Sequence, residues 1–322
     1  MKNNYSREYL LSTAVGLQDV DHLKTSEYFN EQSKRYLSGE LDFDELDKII
    51  TSYYKNKPDI NLEELEADKV TVRIGQLISD NSFTFTVGQL LSIHHSLFSG
   101  VFKHAGKIRT FNIYKNEWVL DGASVIYGDY RELEMTLQYD FSVEKSFNYS
   151  KLPIDEIIEH LAIFTANLWQ IHAFEEGNTR TIAVFLIKYL RTLGFDVSND
   201  MFAKNAWYCR NALVRANYTN ILKNIYEDRS FLIKFLRNLL LDEKNKLSNK
   251  DLHISLIQKQ ASLTRDEKVI ELMKADPKIK TGEIADSIGV SLRTAKSIIS
   301  SLGVKGLIKR TNGKKYGFWE VL

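Results

Sequence analysis

A mostly helical fold follows from three observations on the 322-residue chain. Three residues are proline and 16 are glycine, 43% are hydrophobic, and apolar residues recur over long stretches at steps of three and four. That spacing lays them along one face of a helix. The clearest such stretches flank a polar loop. Ile157, Leu161, Phe164, Leu168 and Ile171 predict an amphipathic helix over Pro153 to Ile171; Ile182, Leu186, Tyr189, Leu190 and Leu193 repeat the pattern, with Gly194 as a C-terminal cap. Between them lies His172-Ala173-Phe174-Glu175-Glu176-Gly177-Asn178-Thr179-Arg180. A base, a carboxylate, an amide, a glycine and a guanidinium thus stand at the start of a helix, whose free N–H groups and positive dipole end favour anions. The chemistry this predicts is phosphate chemistry.

The composition bounds the rest. The length fits two domains or one large domain with an appendage. A formal charge of +1 gives the whole chain no preference for nucleic acid, and the single cysteine, Cys209, excludes an internal disulfide framework and a cysteine-based zinc site. With no apolar signal segment and no run approaching ~18 apolar residues, the expected location is the cytoplasm.

Taken singly, each loop residue is an ordinary turn or cap; the order and spacing are not. They resemble the signature of the Fic (Fido) family, H-x-F-x-[DE]-G-N-[GK]-R-x-x-R, with His172, Phe174, Glu176, Gly177, Asn178 and Arg180 on its defining positions. Thr179 replaces the usual glycine or lysine, and Ala183 replaces the last arginine. The resemblance implies a helical core with a β-hairpin flap and transfer of a nucleotide's phosphate-linked part to a protein hydroxyl. In that scheme His172 is the general base, an imidazole titrating near neutrality, and Phe174 anchors the loop in the core. Glu176 holds Mg²⁺, which takes one or two carboxylates plus phosphate oxygens. Backbone N–H groups around Gly177 and Thr179, with the Asn178 side chain, cradle the phosphates, and Arg180 neutralises the leaving pyrophosphate of ATP.

Along the chain, residues 1–62 read as two short helices. Thr25 or Ser26 caps the first, which stops at Gly39, and Asp42 with Glu45 opens the second, to Tyr54. This segment resembles the family's inhibitory helix, [ST]-x-x-x-E-[GN], fused ahead of the catalytic part. Alignment on Gly39 places Lys34 at the hydroxyl position and Ser38 at the glutamate, with Glu40 across the glycine as the substitute. The family's glutamate pairs with the last signature arginine, here Ala183, so both halves of that ion pair are absent together. The resemblance then implies that removing residues 1–60 releases no burst of activity and that Ala183→Arg raises ATP affinity.

Residues 63–240 form the expected catalytic domain. Helices are predicted over Leu65 to Ile78 and Thr86 to Phe98, and His94-His95 are assigned to packing and surface, since adjacent helical residues do not converge on one ion. Phe98 to Thr110 again resembles the Fic core. Strand-like Arg109 to Tyr114 and Ala123 to Tyr127 flank an Asp121-Gly122 turn, a hairpin flap whose edge would present a target's Tyr, Thr or Ser hydroxyl to His172. Met201 to Tyr218 resembles the family's next helix, with Tyr208 or Tyr218 stacking on the base, and Phe231 to Leu241 closes the core.

Residues 241–263, rich in Lys, Asn, Ser, Asp and Gln, read as a linker or connecting helix. In 264–322 the pattern is helix (Glu267 to Met273), helix (Thr281 to Ile288), turn at Gly289, helix (Ser291 to Leu302), then a hairpin turning at Asn312-Gly313: the order of a winged helix-turn-helix. From residue 291 on, Arg293, Lys296, Lys305, Lys309, Arg310, Lys314 and Lys315 against Glu320 give seven cations and one anion, a net +6. Of these, Arg293 and Lys296 on the reading helix and Lys309, Arg310, Lys314 and Lys315 on the wing are an electrostatic footprint for duplex DNA.

The leading expectation is a Mg²⁺-dependent AMP transferase using ATP. The alternatives are a degenerate Fic fold kept as a nucleotide-sensing or DNA-binding regulator, and Fic chemistry with another donor such as UTP or a CDP-alcohol. Target, donor base and oligomeric state, a homodimer among the options, are not written in the sequence.

Overall fold

A computed structural model describes residues 5–256, 263–311 and 317–322, and the chain divides into two units, Met1–His253 and Ile254–Leu322. The first unit is helical. Helices α1 (Arg7–Gly16), α2 (Glu27–Leu37), α3 (Phe43–Asn56), α4 (Leu62–Ser79) and α5 (Val87–Phe98) precede α6 (Leu133–Ser146), α7 (Ile154–Ile171), α8 (Asn178–Thr192), α9 (Met201–Ala216) and α10 (Ser230–Leu241). Their starts are chemical. The Ser26 hydroxyl accepts from the Phe29 N–H, the Thr86 hydroxyl from Gln89, and Asp42 with Glu45 forms a reciprocal capping box.

The N-terminal segment differs from the two short helices predicted. An additional helix, α1, leads into a 3₁₀ turn at Leu17–Asp21. Apolar periodicity hides α1 because Tyr9, Leu10, Leu11, Thr13 and Ala14 are all buried; a helix covered on most sides carries no clean stripe. It packs on α4 and α9. At Gly16 a Cβ would lie 2.4 Å from the Ala203 carbonyl oxygen, so only glycine permits this approach to α9.

The flap is not a hairpin of strands. Residues 109–127 run extended, interrupted by a 3₁₀ turn at Trp118–Leu120, without forming a strand ladder. Instead the Glu117 and Gly122 N–H groups bond to the Ala123 and Glu117 carbonyls, and Arg109, buried, donates to the carbonyls of Phe111, Gly128, Ile171 and His172. One guanidinium replaces the cross-strand pairs.

The predicted linker also divides. Residues 242–253 belong to the first unit, tied by hydrogen bonds of the Asn238 amide to the Asn245 backbone and of the Asn211 amide to Asn249 Oδ1, and by His253 against Trp118; buried Leu252 gives the segment its anchor.

In the second unit, helices Arg265–Ala275, Thr281–Ser287 and Leu292–Val304 pack around Val269, Met273, Ile284, Ala295 and Leu302. Strands Ile308–Thr311 and Phe318–Val321 pair antiparallel, with Ile308 opposite Val321. Asn312, Gly313, Lys314 and Lys315 lie outside the described residues. Among the described residues no helix is long and apolar enough to cross a membrane.

Candidate active site

Helices α7 and α8 present the loop predicted from the sequence. His172 ends α7 in the left-handed conformation, φ +48°, which turns the chain sharply out of the helix. Its side chain is buried, 3% exposed, between Tyr127 (ring centroids 4.2 Å apart) and Trp169 (5.2 Å, edge-on). Nδ1 stands 3.3 Å from the Trp169 carbonyl. A carbonyl only accepts, so Nδ1 carries the proton and Nε2 keeps its lone pair. Burial, then the charges of Lys115, Arg210 and Arg109, hold the imidazole well below its ordinary range, so it is neutral at neutral pH.

Phe174 is buried and stacks on His94 at 3.7 Å. His94 accepts from the Gly106 N–H at Nδ1 and donates from Nε2 to the Glu176 carbonyl, 3.0 Å; burial lowers its pKa to about 4. Assigned to packing from the sequence, His94 is the buttress under the loop. Gly177 has φ +76°, and a Cβ there would meet the Phe98 ring at 2.4 Å; this position admits no side chain. Thr179 fits within α8, its hydroxyl accepting from Trp169 Nε1 at 3.0 Å.

Asn178 departs from expectation. Its amide accepts from the Phe174 N–H (2.9 Å) and donates to the Phe174 carbonyl (2.7 Å), bracing the loop rather than facing a ligand. What stays open is backbone: the N–H groups of Asn178, Thr179 and Arg180 have no acceptor among the described residues, and α8 has no side-chain cap. They form an anion cradle at a helix N-terminus.

Arg180 does not stand free. It is 2% exposed, with Glu66 at 2.5 Å, Asp21 at 2.8 Å and the Gln18 amide oxygen at 3.1 Å. Only its Nε is without a partner. Two carboxylates thus match the charge expected to serve pyrophosphate. Glu176, in contrast, has a half-exposed carboxylate paired with Lys115 Nζ at 2.8 Å, and Glu175 pairs with His104 at 3.2 Å.

Glu40 does not substitute for the missing inhibitory glutamate. The Ser38 hydroxyl bonds to the Arg35 carbonyl, and Glu40 pairs with Arg35 at 2.5 Å; Gly39, φ +85°, terminates α2. The 3₁₀ turn Leu17–Asp21 packs on α8, beside α4, α5 and α7. There Leu17 and Val20 line the space beside Ala183 together with Phe202, Cys209 and Leu213. An apolar wall has replaced an ion pair. The tyrosines proposed for the base are likewise enclosed: Tyr208 donates to the Phe231 carbonyl, and Tyr218 accepts from Asn220, both rings buried. Neither has a face open for stacking: Tyr208 is on the inward side of α9, and Tyr218 lies beyond that helix, which ends at Ala216 and not at Tyr218.

Sequence reasoning missed a network beside the base. Tyr127 donates to Glu117 (2.9 Å), which is fully buried and receives Arg210 at 2.6 Å, and Arg210 lies over Trp207. A buried carboxylate inside a polar loop has no signal in sequence periodicity.

In the second unit Arg293, Lys296, Lys309 and Arg310 are exposed, and Arg310 lies over the Trp319 ring at 4.8 Å. The two wing lysines at 314 and 315 fall outside the described residues.

Two stretches of the chain match known families. Residues 84–190 match the model of the Fic/DOC family, and residues 262–309 match one described as winged helix-turn-helix, DNA-binding. Over 182 residues the chain is 24% identical to a protein named protein adenylyltransferase VbhT, from Bartonella schoenbuchensis; the alignment takes in 52% of this chain but 37% of that protein. A crystal structure of a Fic family protein from Desulfovibrio desulfuricans G20 aligns with 98% of this chain and 87% of its own, at 13% identity and a TM-score of 0.47.

Proposed function

The chain carries a Fic/DOC domain over residues 84–190 and a winged helix-turn-helix over residues 262–309, and from these we propose a Mg²⁺-dependent transferase that moves AMP from ATP onto a hydroxyl of a target protein or of the chain itself. The observation that carries this reading is the neutral His172, its Nε2 lone pair free, in the loop that ends at the open N–H groups of Asn178, Thr179 and Arg180. Nε2 takes the proton of the incoming hydroxyl, whose oxygen attacks the α-phosphorus as the bond to pyrophosphate breaks. The backbone N–H groups hold the phosphate oxygens in place.

Glu176 fits a magnesium ion: it is a solvent-reaching carboxylate of the loop, and Mg²⁺ asks for one or two such ligands with the remainder from phosphate and water. When bound, the ion offsets phosphate charge. The target lies along the flap, where Phe111, Tyr114, Trp118 and Ile126 expose apolar surface. Arg293, Lys296, Lys309 and Arg310 give the second unit a cationic face for duplex DNA.

A second reading has its own observation. Arg180 is neutralised by Asp21 and Glu66, and Ala183 is walled by Leu17 and Val20, as expected of a Fic fold kept as a nucleotide-sensing regulator. Incubating the full chain with labelled ATP, UTP or CDP-choline plus Mg²⁺ separates the readings. Label from ATP on the protein supports the transferase; label from another donor changes the nucleotide; nucleotide binding with no label from any donor supports the regulator.

A further inference from the structure

The phosphate cradle is short of cations. Arg180 is held by two carboxylates, Arg210 by the buried Glu117, and Arg109 is spent on four backbone carbonyls. The remaining signature position is Ala183, without charge. A triphosphate brings more negative charge than backbone N–H groups offset. One cation beside the loop has a different status. Lys115 rises from the flap, its side chain 24% exposed, and pairs at 2.8 Å with Glu176, the carboxylate that a divalent cation would claim. Its backbone is fixed by the Lys115 N–H to Ser124 hydroxyl bond, 3.2 Å, so the flexible side chain is what can move. After burial itself, its charge is the leading cause of the depressed imidazole at His172, which places the ammonium near the base as well as the loop.

We propose that Lys115 is a donor-binding residue, whose ammonium rests on Glu176 in the nucleotide-free protein and passes to the donor's phosphate oxygens when a cation takes the carboxylate. Lysine suits this, a compact point charge on a four-carbon stem that can exchange one oxyanion for another. The exchange conserves charge pairing: Glu176 trades an ammonium for a metal ion, and Lys115 trades a carboxylate for a phosphate. The flap lysine thereby supplies the side-chain charge that Ala183 lacks. This inference deepens the transferase reading and rests on the same site.

The test is direct binding of inorganic tripolyphosphate and of ATP to the full-length protein by titration calorimetry, with EDTA and with Mg²⁺. Lys115→Met is expected to weaken both ligands roughly tenfold to hundredfold, the loss of one charge-assisted contact, while leaving adenosine binding unchanged; Lys115→Arg is expected to restore most of the loss. Glu176→Gln supplies the opposite sign. In EDTA it frees Lys115, so tripolyphosphate should bind more tightly than to the wild type. If the Lys115–Glu176 pair merely holds the loop, both substitutions weaken binding in EDTA, and that result overturns the proposal. Unchanged tripolyphosphate affinity in Lys115→Met overturns it too. Because tripolyphosphate binding requires no transfer, failure of the AMP-transferase reading shows separately, as absence of label on a protein that still binds the polyphosphate.

Discussion

Substituting Ala183 by arginine restores the family's signature on paper, and the structure predicts that it damages the protein. Ala183 is buried at 6% exposure, and the space among Leu17, Val20, Phe202, Cys209 and Leu213 amounts to about 10 Å³, room for one water at most. An arginine there must push these apolar side chains apart, at about 1–3 kcal/mol, and bury a guanidinium with no carboxylate on that wall, at several kcal/mol more. Partial escape toward the loop lowers the sum, so about 3–5 kcal/mol is a reasonable total, a large share of the ~5–15 kcal/mol of a typical domain. For a unit of this size that corresponds to a fall in Tm of roughly 10 °C. Thermal unfolding followed by circular dichroism, with ATP titrated into the same samples, is the assay. The sequence alone predicts a gain in ATP affinity; the structure predicts a loss of stability without that gain. A variant as stable as the wild type that binds ATP more tightly would refute the packing argument.

Burial depresses His94 to about 4 and His172 well below its usual value; as pH falls below ~6.5 the unfolded chain takes up protons that the folded chain refuses, so stability present above that pH is lost on descent, by about 3 kcal/mol for His94 alone between pH 6.5 and 4. Urea unfolding at a series of pH values checks this, and a flat profile from pH 7 to 5 contradicts it. Duplex DNA should be retarded by the full chain at low salt with a steep dependence on salt concentration, and Arg293→Ala with Lys296→Ala should reduce both affinity and slope; retardation unaffected by the pair would remove the exposed helix Leu292–Val304 from the interface.

What the sequence made legible was local. Ser26, Asp42 with Glu45, and Thr86 announced helix starts because a cap bonds within three residues of itself. The loop from His172 to Arg180 was legible for the same reason: its residues act within one turn and one helix end. The partners of Arg180 were not. Gln18 stands 162 positions away and Glu66 114, and nothing in a local pattern joins them. Lys115 to Glu176 spans 61 positions. The segment that packs on α8 is equally illegible: it is the apolar turn Leu17–Asp21, whose residues look like a continuation of α1, and not the polar stretch around Ser38. Tyr208 and Tyr218 both fall in the helix predicted over Met201 to Tyr218, but α9 ends at Ala216 and packs on α10, and the burial of either ring cannot be taken from spacing alone.

The central claim is that His172, neutral and with Nε2 free, removes the proton from a protein hydroxyl as AMP is transferred. Intact-mass measurement of the full-length protein after incubation with ATP and Mg²⁺ tests it most directly, alongside His172→Ala and with nucleotide binding measured for both. The account predicts a mass gain of one or more adenylyl groups on the wild type and none on His172→Ala, with nucleotide still bound by the variant. Equal gain on both proteins would contradict the role of His172, and no gain on either, with ATP bound, would contradict transfer to the chain itself.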